Sequence, residues 1–300
     1  MNDAATAAAS GLVVVDKPAG LTSHDVVARV RRLARTRKVG HAGTLDPMAT
    51  GVLLLGVERA TRLLGHLALA DKRYDATIRL GAATTTDDAE GEVVSTAPVD
   101  ALDEDAVRRC AAGFVGDLQQ VPSSVSAIKV DGRRAYARAR AGEDVELPAR
   151  PVTVHDLLVH GVRRDGAWLD VEVSVHCTTG TYVRALARDL GAALGVGGHL
   201  TALRRTAVGG VRLDEATPLA TLQEAGSVQP MPMAHAAARF FPTVTVDEPS
   251  AVAVGHGKRL PIDVPPGGPV AVLGPDGSFL ALYRAADDAC DPARPLAVFV

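Results

Sequence analysis

The chain has 300 residues, of which 47% are hydrophobic and 3% aromatic, and its formal net charge at pH 7 is -3. Its length and apolar content are sufficient for a large buried core, so we expect one large domain and one small domain. No apolar run approaches the length that spans a bilayer, and the three cysteines lack the spacing of zinc ligands, which excludes a helical membrane protein and a cysteine-based metal site.

The two ends of the chain differ from its middle. The segment MNDAATAAAS lacks the basic part and the apolar core of a signal peptide, so we expect residues 1–10 to form a disordered tail on a cytoplasmic protein. The widely separated cysteines agree with a reducing compartment. We expect the large domain over residues 11–240 and the small domain over residues 241–300.

The first half of the chain alternates between strand and helix patterns. GLVVVDKP predicts a strand that enters a loop, and SHDVVARVRRLART predicts an amphipathic helix capped by Ser23 or Asp25. VLLLG and YDATIRLG are typical of strands. Further along, DEDAVRRCAAGFVG predicts a helix, SAIKV a strand, and AYARARAGEDV a helix with charged ends. No internal repeat of the solenoid type is present in the sequence.

The second half begins with WLDVEVSVHC, whose alternation predicts a half-buried strand, followed by the helix VRALARDLGAALG. Beyond Glu215 the density of Pro and Ala indicates a connecting segment. After Pro242 the apolar pieces VTV, AVAV, PVAVLG, FLALY and LAVFV are separated by Gly and Pro turns, which predicts a small β-barrel. Because strands and helices are interleaved without the regular repeat of a doubly wound sheet, we assign the chain to the α+β class with a mixed or antiparallel sheet.

The acidic net charge conceals local excesses of positive charge. Between His24 and Gly40 a single acid, Asp25, is opposed by a basic cluster: Arg29, Arg31, Arg32, Arg35, Arg37 and Lys38. A second basic cluster contains Arg133, Arg134, Arg138 and Arg140. Because local potential rather than net charge attracts phosphate, these clusters indicate a surface for nucleic acid, with a solvated helix face as the alternative.

A glycine-rich turn at residues 40–56, GHAGTLDPMATGVLLLG, presents one carboxylate, Asp46, ahead of an apolar run. Its glycines permit backbone conformations and close approaches that a Cβ would block, so we expect Asp46 at a tight corner beside a cavity. Asp followed by Pro is also a common helix start, with Asp46 as N-cap and Pro47 as the first helical residue. The motif alone is consistent with a catalytic carboxylate and with a helix cap.

Five separated segments together resemble one known family. They are KPAGLTSHD at 17–25, KVGHAGTLDPMATGVLLLG at 38–56, DKRYDATIRLGAATTTDDAEGEV at 71–93, QQVPSSVSAIKVDGRRAY at 119–136, and CTTGTYVRALARDLGAALGVGGHLTALRR at 177–205. In this order they closely resemble the bacterial TruB family, the tRNA pseudouridine-55 synthases, over residues 11–212. The resemblance implies a pseudouridine synthase catalytic domain over 11–240, a PUA-like RNA-binding domain over 241–300, and isomerisation of one uridine in the T loop of tRNA.

The resemblance also implies three catalytic residues. Asp46 matches the family's catalytic carboxylate, and Arg184 in GTYVR matches the arginine that pairs with it. An aspartate that stays ionised in a closed pocket needs a positive partner, because desolvation alone raises a carboxyl pKa. Tyr74 matches the tyrosine that stacks on the target uracil and is implicated in proton removal. The structural alternatives are a solvent-bound arginine at a helix N-terminus and an edge-strand tyrosine packed on the core.

Further residues are expected to bind the substrate RNA. His41 matches a histidine thought to help turn the target nucleotide out of its loop, and a plain surface position is its alternative. Asp88 matches a segment that lines the site and is expected to hold ribose or phosphate groups, with a capped acidic loop as its alternative. Tyr182 is expected to pack over the pocket or to fill it, and Leu203 matches an apolar residue near the pocket wall, where core packing is the alternative. The remaining expected RNA-binding residues are Lys17, Arg133 and Arg134.

The chemistry limits what else the site requires. Pseudouridine formation breaks the bond between uracil N1 and ribose C1′, turns the detached base and joins its C5 to the same carbon. Since no water enters and no redox step occurs, we expect neither a metal nor a cofactor, and one carboxylate can act as nucleophile or as stabiliser of an oxocarbenium-like sugar. A glycoside hydrolase would usually need two carboxyls beside the bond. The expected partner is tRNA, bound through its T arm by a monomeric enzyme.

One segment departs from the family pattern. Where the family commonly has Gln-x-Pro-Pro-x-aromatic-Ser-Ala, this chain has Ser123 in place of the second proline and, after Ser124, Val125 in place of the aromatic residue. RNA contacts from that loop are therefore not carried over. Two other classes stay open: an RNA chaperone that folds tRNA and uses Asp46 only as a cap, and a hydrolase of nucleosides or sugars with Asp88 as its second carboxylate.

Overall fold

The computed structural model describes residues 9–123, 129–130, 133–134, 147–265, 267–288 and 291–300. Contacts between Cα atoms divide the chain into two compact units. Unit 1 contains the described residues up to Asp46, Val52–Ala68 and Gly209–Val300, and unit 2 contains Pro47–Gly51 and Leu69–Val208. Residues 209–240 belong to unit 1 in this grouping, and the expected domain boundary after residue 240 stays a prediction.

Strands and short helices alternate along the chain. The strands are β1 (Gly11–Lys17), β2 (Val39–Ala42), β3 (Thr50–Val57), β4 (Lys72–Leu80), β5 (Ala82–Thr84), β6 (Val93–Thr96), β7 (Gly116–Gln120), β8 (Lys129–Val130), β9 (Arg133–Arg134), β10 (Arg150–Asp165), β11 (Trp168–Cys177), β12 (Gly198–Val208), β13 (Val211–Arg212), β14 (Thr217–Pro218), β15 (Met231–Pro232), β16 (Thr243–Thr245), β17 (Val270–Leu273), β18 (Phe279–Arg284) and β19 (Arg294–Val298). The helices are α1 (Ser23–Leu33), α2 (Leu64–Leu67), α3 (Glu104–Ala112), α4 (Val183–Ala193), α5 (Leu219–Ala225), α6 (Met233–Ala238) and α7 (Glu248–Gly255), with 3-10 helices at Glu58–Arg62 and Leu213–Glu215. Parallel and antiparallel pairs share a large sheet, and the predicted α+β class is confirmed.

Unit 1 begins with strand β1, which pairs in parallel with β14 and antiparallel with β15. Helix α1 follows and buries a row of valines on one face, as its amphipathic pattern predicts. Its N-cap is Thr22, whose hydroxyl accepts from the backbone N–H of Asp25, while the carboxylate of Asp25 accepts from the backbone N–H of Thr22. The predicted cap at Ser23 or Asp25 is wrong, because Asp25 occupies the third helical position of a capping box.

Unit 2 is built on antiparallel strands in the order β12-β4-β11-β10-β7. Strand β4 alternates buried and more exposed residues, which is the period of two that its sequence predicts. Ile78 of β4 lies opposite Val171 of β11, and both are buried in the core under this sheet. Thr50 and Gly51, the first two residues of β3, pair in parallel with β12. Strand β4 is therefore an interior strand with a neighbour on each side.

The C-terminal region of unit 1 differs from the prediction in two places. The expected connecting segment beyond Glu215 contains the helices α5 and α6. The expected strand AVAV lies inside α7, because the carboxylate of Asp247 caps the helix and Pro249 stands in its first turn. The other apolar pieces form a four-stranded sheet in the order β16-β17-β18-β19, and its core includes Val254 and Tyr283.

Other predicted elements have mixed outcomes. The helix predicted from DEDAVRRCAAGFVG is confirmed as α3, and the strand predicted from WLDVEVSVHC is confirmed as β11. Of SAIKV only its last two residues are described, as strand β8 paired with β9. The helix predicted from AYARARAGEDV lies outside the described residues. In the part of the chain that the structure describes, no helix has both the length and the apolar character needed to span a bilayer.

Candidate active site

Asp46 lies in the loop between β2 and β3 and is half-buried. The described residues 43–49 contain no helical turn, and strand β3 starts at Thr50. The alternative in which Asp46 caps a helix is therefore wrong, because the residues that follow it enter a strand. The structure removes the main structural explanation for an Asp-Pro pair at this position.

The backbone just before Asp46 is fixed by helix α1. Ser23, the first residue of α1, is 1% exposed, and its hydroxyl accepts from the N–H of Leu45 at 2.9 Å and donates to the carbonyl of Leu45 at 3.1 Å. Leu45 itself is buried, and Gly43 adopts a φ of 79° that favours glycine. These contacts hold the chain at the residue directly before Asp46.

The backbone just after Asp46 is fixed by strand β12. The chain passes from unit 1 to unit 2 between Asp46 and Pro47. Gly51 has a φ of 99°, and a Cβ at this position would lie 2.2 Å from the carbonyl oxygen of Arg205, so only glycine fits here. Arg204 of β12 also donates to the hydroxyl of Thr50 at 3.1 Å. Asp46 therefore stands in a loop whose two ends are both held.

Arg184 is the second residue of helix α4, and two features of unit 2 place that helix. Gly191 approaches Gly198 of β12 so closely that a Cβ on Gly191 would lie 2.1 Å from the nitrogen of Gly198. At the start of the helix, the side-chain amide of Gln120 donates to the carbonyl of Tyr182 at 3.1 Å and accepts from its N–H at 2.8 Å. The helix is thus fixed both at its first turn and along its length.

Arg184 is buried together with Asp88. Only 3% of Arg184 and 2% of Asp88 are exposed. Nη1 of Arg184 donates to the carbonyl of Thr86 at 2.9 Å and lies 3.3 Å from Oδ2 of Asp88, while Oδ1 of Asp88 accepts from the Thr86 hydroxyl at 2.5 Å and from the N–H of Glu90 at 3.0 Å. The solvent-bound alternative for Arg184 is wrong, since a buried charge requires this kind of pairing. The contacts of Asp88 agree with the capped-loop alternative, and its expected contact with ribose or phosphate stays a prediction.

A second ion pair lies beside the first. Nη1 of Arg188, four residues after Arg184 on α4, lies 3.2 Å from Oδ2 of Asp87, and its Nη2 donates to the carbonyl of Val121 at 2.8 Å. Burial raises the pKa of the Asp87 carboxyl, and the charges of Arg188 and Arg184 oppose that change. The carbonyl of Asp87 accepts from the N–H of Leu200 at 3.0 Å. Together these contacts hold the acidic loop against helix α4 and strand β12.

Tyr74 lies on the interior strand β4 and is 8% exposed. It is opposite Val175 of β11 on one side and Arg205 of β12 on the other. The edge-strand alternative is therefore wrong, although the residue is buried as that alternative expected. Lys72 shares the face of β4 that carries Tyr74, and burial together with the charge of Arg205 lowers the pKa of Lys72 to about 8. Tyr74 thus has positively charged side chains on its own face of the sheet.

The two expected wall residues are both in unit 2. Tyr182 is the N-cap of α4 and is half-buried, and its backbone is the part that Gln120 holds. Leu203 of β12 is 8% exposed and lies opposite Ala76 of β4, which agrees with core packing. Their expected contacts with the nucleotide stay predictions.

The expected RNA-binding residues of unit 1 differ in exposure. His41 of β2 is half-buried, and its ring meets the ring of His24 edge-on with 5.3 Å between centroids. Lys17 is fully buried, and its ammonium donates to the carbonyls of Pro18 at 2.9 Å and Leu21 at 2.6 Å. These bonds shape the turn before α1, and the expected contacts of Lys17 and His41 with RNA stay predictions.

The first basic cluster forms an exposed surface at the end of α1 and in the turn after it. Its exposed members are Arg31, Arg32, Arg35, Arg37 and Lys38. Arg31 donates to the carbonyl of Val39 at 3.0 Å, and Lys38 pairs with Glu58 at 3.5 Å. Of the second cluster, Arg133 and Arg134 are described only by their backbone in β9, and their side chains lie outside the described part of the structure.

The structure therefore joins some expected residues and keeps others apart. It pairs Arg184 with Asp88, whereas the expected pairing of Asp46 with Arg184 involves residues of different units and stays a prediction. Sequence reasoning assigned no positioning role to Ser23, Gln120 or Arg188. Ser23 and Gln120 lie in segments that carry the family resemblance, and Arg188 is four residues after Arg184, a spacing that puts both on one face of a helix.

Three protein-family models match successive parts of the chain. A family model described as TruB family pseudouridylate synthase, N terminal domain, matches residues 31–183. Models described as tRNA pseudouridylate synthase B C-terminal domain and as tRNA Pseudouridine synthase II, C terminal, match residues 184–230 and 241–300.

Individual relatives and solved structures give the same result. The chain is 56% identical over 299 residues to tRNA pseudouridine synthase B of Streptomyces griseus, with 98% of each chain covered. It is 57% identical over 298 residues to tRNA pseudouridine synthase B of Thermobifida fusca, with 97% of this chain and 99% of the relative covered. A chain from the crystal structure of a Cbf5-Nop10-Gar1 complex has a TM-score of 0.72 and 28% identity over 97% of this chain and 85% of its own length. A chain from an H/ACA RNP bound to a substrate RNA containing 2′-deoxyuridine has a TM-score of 0.69 and 27% identity, over 97% of this chain and 85% of its own length. With a family model over residues 31–183 and relatives of more than half identity along the whole length, the chain belongs to the TruB family of pseudouridylate synthases.

Proposed function

We propose that this chain converts a uridine of tRNA to pseudouridine at position 55 of the T loop, with Asp46 as the central carboxylate. The observation that carries this proposal is the setting of Asp46, a half-buried carboxylate in a loop fixed by Ser23 before it and by Gly51 after it, with no helix to cap. Family membership supplies the reaction class, and the relatives named above are described as tRNA enzymes.

The reaction exchanges two bonds at one sugar carbon. The bond between N1 and C1′ breaks, the base turns, and a bond forms between C5 and C1′. C5 then loses its proton and N1 gains one, so that substrate and product are isomers. Asp46 can take part by attacking C1′, by adding to C6, or by supporting elimination through a glycal, and all three routes need an ionised carboxylate.

The proposed site pairs Asp46 with Arg184. A desolvated carboxylate stays ionised only beside positive charge, and Arg184 is a suitable partner because it is already buried. Thr86 and Asp88 fix the direction of its guanidinium. In this proposal Asp88 is a positioning residue that acts through Arg184.

Tyr74 is the proposed stacking partner of the target uracil. Its place on an interior strand makes the ring rigid, and stacking requires only a flat ring held in place. Removal of the C5 proton by its hydroxyl is a harder task, because a phenol with a reference pKa of about 10 is a weak base at neutral pH. Stacking on the uracil is therefore the role of the Tyr74 ring. The Tyr74 hydroxyl can remove the C5 proton only if the site makes the phenol a stronger base.

The substrate uridine has to leave the base stack of its loop before Asp46 can reach the sugar. Flipping costs a few kcal/mol, which contacts in the pocket must offset. The exposed basic cluster after α1 is the proposed contact for tRNA phosphates, since arginines and lysines that bind phosphate release counterions. The 2′-hydroxyl of the nucleotide gives the site a means to prefer RNA over DNA.

The test is tritium release from tRNA labelled at C5 of uridine. Purified protein is incubated with an unmodified transcript and, in parallel, with the same transcript carrying cytidine at position 55. We expect release from the first transcript and none from the second. Asp46→Asn should bind tRNA and release no tritium, whereas Asp75→Asn should release it as the wild type does. Asp75 is a matched control because it is an exposed acid next to Tyr74 whose carboxylate accepts from Ser174 at 2.7 Å.

Other outcomes would identify the competing classes. Tight tRNA binding without tritium release by the wild type would indicate an RNA chaperone. Free uracil or free sugar among the products would indicate a hydrolase. Release from the transcript that lacks uridine 55 would keep the isomerase and refute the assigned position.

A further inference from the structure

Three side chains of unit 2 that the proposed reaction does not use converge at one end of its sheet. Oδ2 of Asp71 lies 3.0 Å from Nε2 of His155 and 3.8 Å from Nε2 of His176, and the ligand atoms of all three residues lie within 4.8 Å of one another. The two imidazole rings have centroids 4.7 Å apart. Three potential metal ligands of two chemical types thus face one small volume.

The strand pairing explains why they meet. Cys177 lies opposite Lys72 at the start of β4, which puts Asp71 just beyond the end of that ladder and close to His176. On the other side β10 has a bulge, because Val154 pairs with Cys177 and Asp156 pairs with His176, so that His155 is the extra residue. A β-bulge redirects a side chain away from its regular position in the ladder, and such bulges are common next to functional sites. The bulge brings His155 to the other two residues.

The donor set suits a first-row divalent transition metal. Imidazole nitrogen and carboxylate oxygen are ligands of Zn²⁺, Co²⁺ and Ni²⁺, and three protein ligands leave a position for water. Tetrahedral coordination at about 2.1 Å separates ligand atoms by about 3.4 Å, so the observed distances of 3.0 and 3.8 Å bracket that value. The side chains of Asp71, His155 and His176 are 44%, 37% and 25% exposed, which lets an ion enter from solvent.

Charged residues around the cluster both oppose and favour the binding of a cation. Arg73 lies opposite His176 in the ladder between β4 and β11, and its charge opposes a bound cation. Asp156, opposite His176 in the other ladder, supplies a second nearby carboxylate that offsets it. We therefore expect binding weaker than that of a buried structural zinc site.

We propose that Asp71, His155 and His176 bind one divalent transition metal ion, and that Zn²⁺ is a metal this site accepts. The ion would join the starts of β4 and β10 to the end of β11. Of its ligands, Asp71 precedes Tyr74 by three residues and His176 precedes Arg184 by eight. It would act as a structural clip, and the isomerisation itself would still need no metal.

The test uses the full chain without a polyhistidine tag, after treatment with a chelator. Zn²⁺ binding is measured by calorimetry, and Co²⁺ is added as a spectroscopic probe whose visible absorption reports the coordination geometry. The wild type should bind one equivalent of Zn²⁺, and its midpoint of thermal unfolding should rise with Zn²⁺ concentration. His155→Gln and His176→Gln should each weaken binding by about tenfold or more and abolish the thermal shift.

His160→Gln is the matched control, because His160 is an exposed histidine on the same strand as His155 and contacts Ser174 at 2.7 Å outside the cluster. It should bind Zn²⁺ as the wild type does. Circular dichroism and unfolding of each variant without metal show that the fold is retained. No stoichiometric binding by the wild type, or undiminished binding by both His155→Gln and His176→Gln, would overturn the proposal.

Discussion

The stability of Asp88 variants tests whether Asp46 shares the guanidinium of Arg184. Arg184 and Asp88 are almost fully buried, with 3.3 Å between Nη1 and Oδ2. Removing one partner of a buried ion pair costs about 3–5 kcal/mol of unfolding free energy. Asp88→Asn retains an oxygen that can accept from Thr86 and Glu90, so we expect about 3 kcal/mol, whereas Asp88→Ala should reach about 5 kcal/mol.

The informative quantity is the coupling between Asp88→Asn and Asp46→Asn. If Arg184 pairs with both carboxylates, each single variant leaves one acid beside the guanidinium and the double variant leaves neither. We expect the double variant to lose about 1–3 kcal/mol more than the sum of the single variants. Asp75→Asn should be additive with Asp88→Asn, because Asp75 is exposed and bonded to Ser174.

The assay is thermal unfolding followed by circular dichroism at pH 7, with tRNA binding measured in parallel to show that each variant is folded. A loss of about 3 kcal/mol corresponds to a decrease of about 6–12 °C in the midpoint for a protein of this size class. Additivity of Asp46→Asn and Asp88→Asn within about 0.5 kcal/mol would refute the shared guanidinium. The proposed ion pair between Asp46 and Arg184 would then have to be abandoned.

Three further predictions concern the positioning contacts. Gly51→Ala should lose about 2–5 kcal/mol in thermal unfolding, because its Cβ would meet the carbonyl of Arg205, and an unchanged midpoint would contradict this. Gln120→Ala should lose about 1–3 kcal/mol, since both bonds to the Tyr182 backbone disappear, and Gln120→Glu, which keeps only the acceptor, should fall between it and the wild type. Asp87→Asn should gain stability relative to the wild type as pH rises above about 4, because a raised carboxyl pKa makes the wild type lose stability as pH rises through it; a difference between the two unfolding midpoints that does not change with pH would contradict this.

The spacing of apolar residues within one segment was sufficient to predict which face of a helix or strand is buried. The alternation of β4 and the valine spacing of α1 predicted their buried faces correctly, because periods of 2 and 3.6 report which side of an element meets the core. AVAV shows the limit of this reasoning, since a short apolar run fits a strand or a buried helix equally well. The cap at Asp247 and the proline at 249 decided for the helix.

The choice of site residues depended on the order of five segments rather than on any one of them. Asp46 alone was consistent with a helix cap, and the structure excludes that cap because residues 47–49 form no helical turn before strand β3. The positioning residues Ser23 and Gln120 were missed because each acts on a backbone far away in the chain, namely that of Leu45 and Tyr182. A pattern within one segment contains no information about such a partner.

Sequence patterns were enough to predict the α+β class, the helices α1, α3 and α4, and the resemblance that selected Asp46, Tyr74 and Arg184, but they did not predict the long strand β10 or the helices α5 and α6. Three features are visible only in the folded chain: β4 is an interior strand, Arg184 is paired with Asp88, and a bulge in β10 brings His155 close to His176. The physical reason is that periodicity specifies which face of an element is buried, whereas the neighbour that covers it depends on strand order and register across the whole chain.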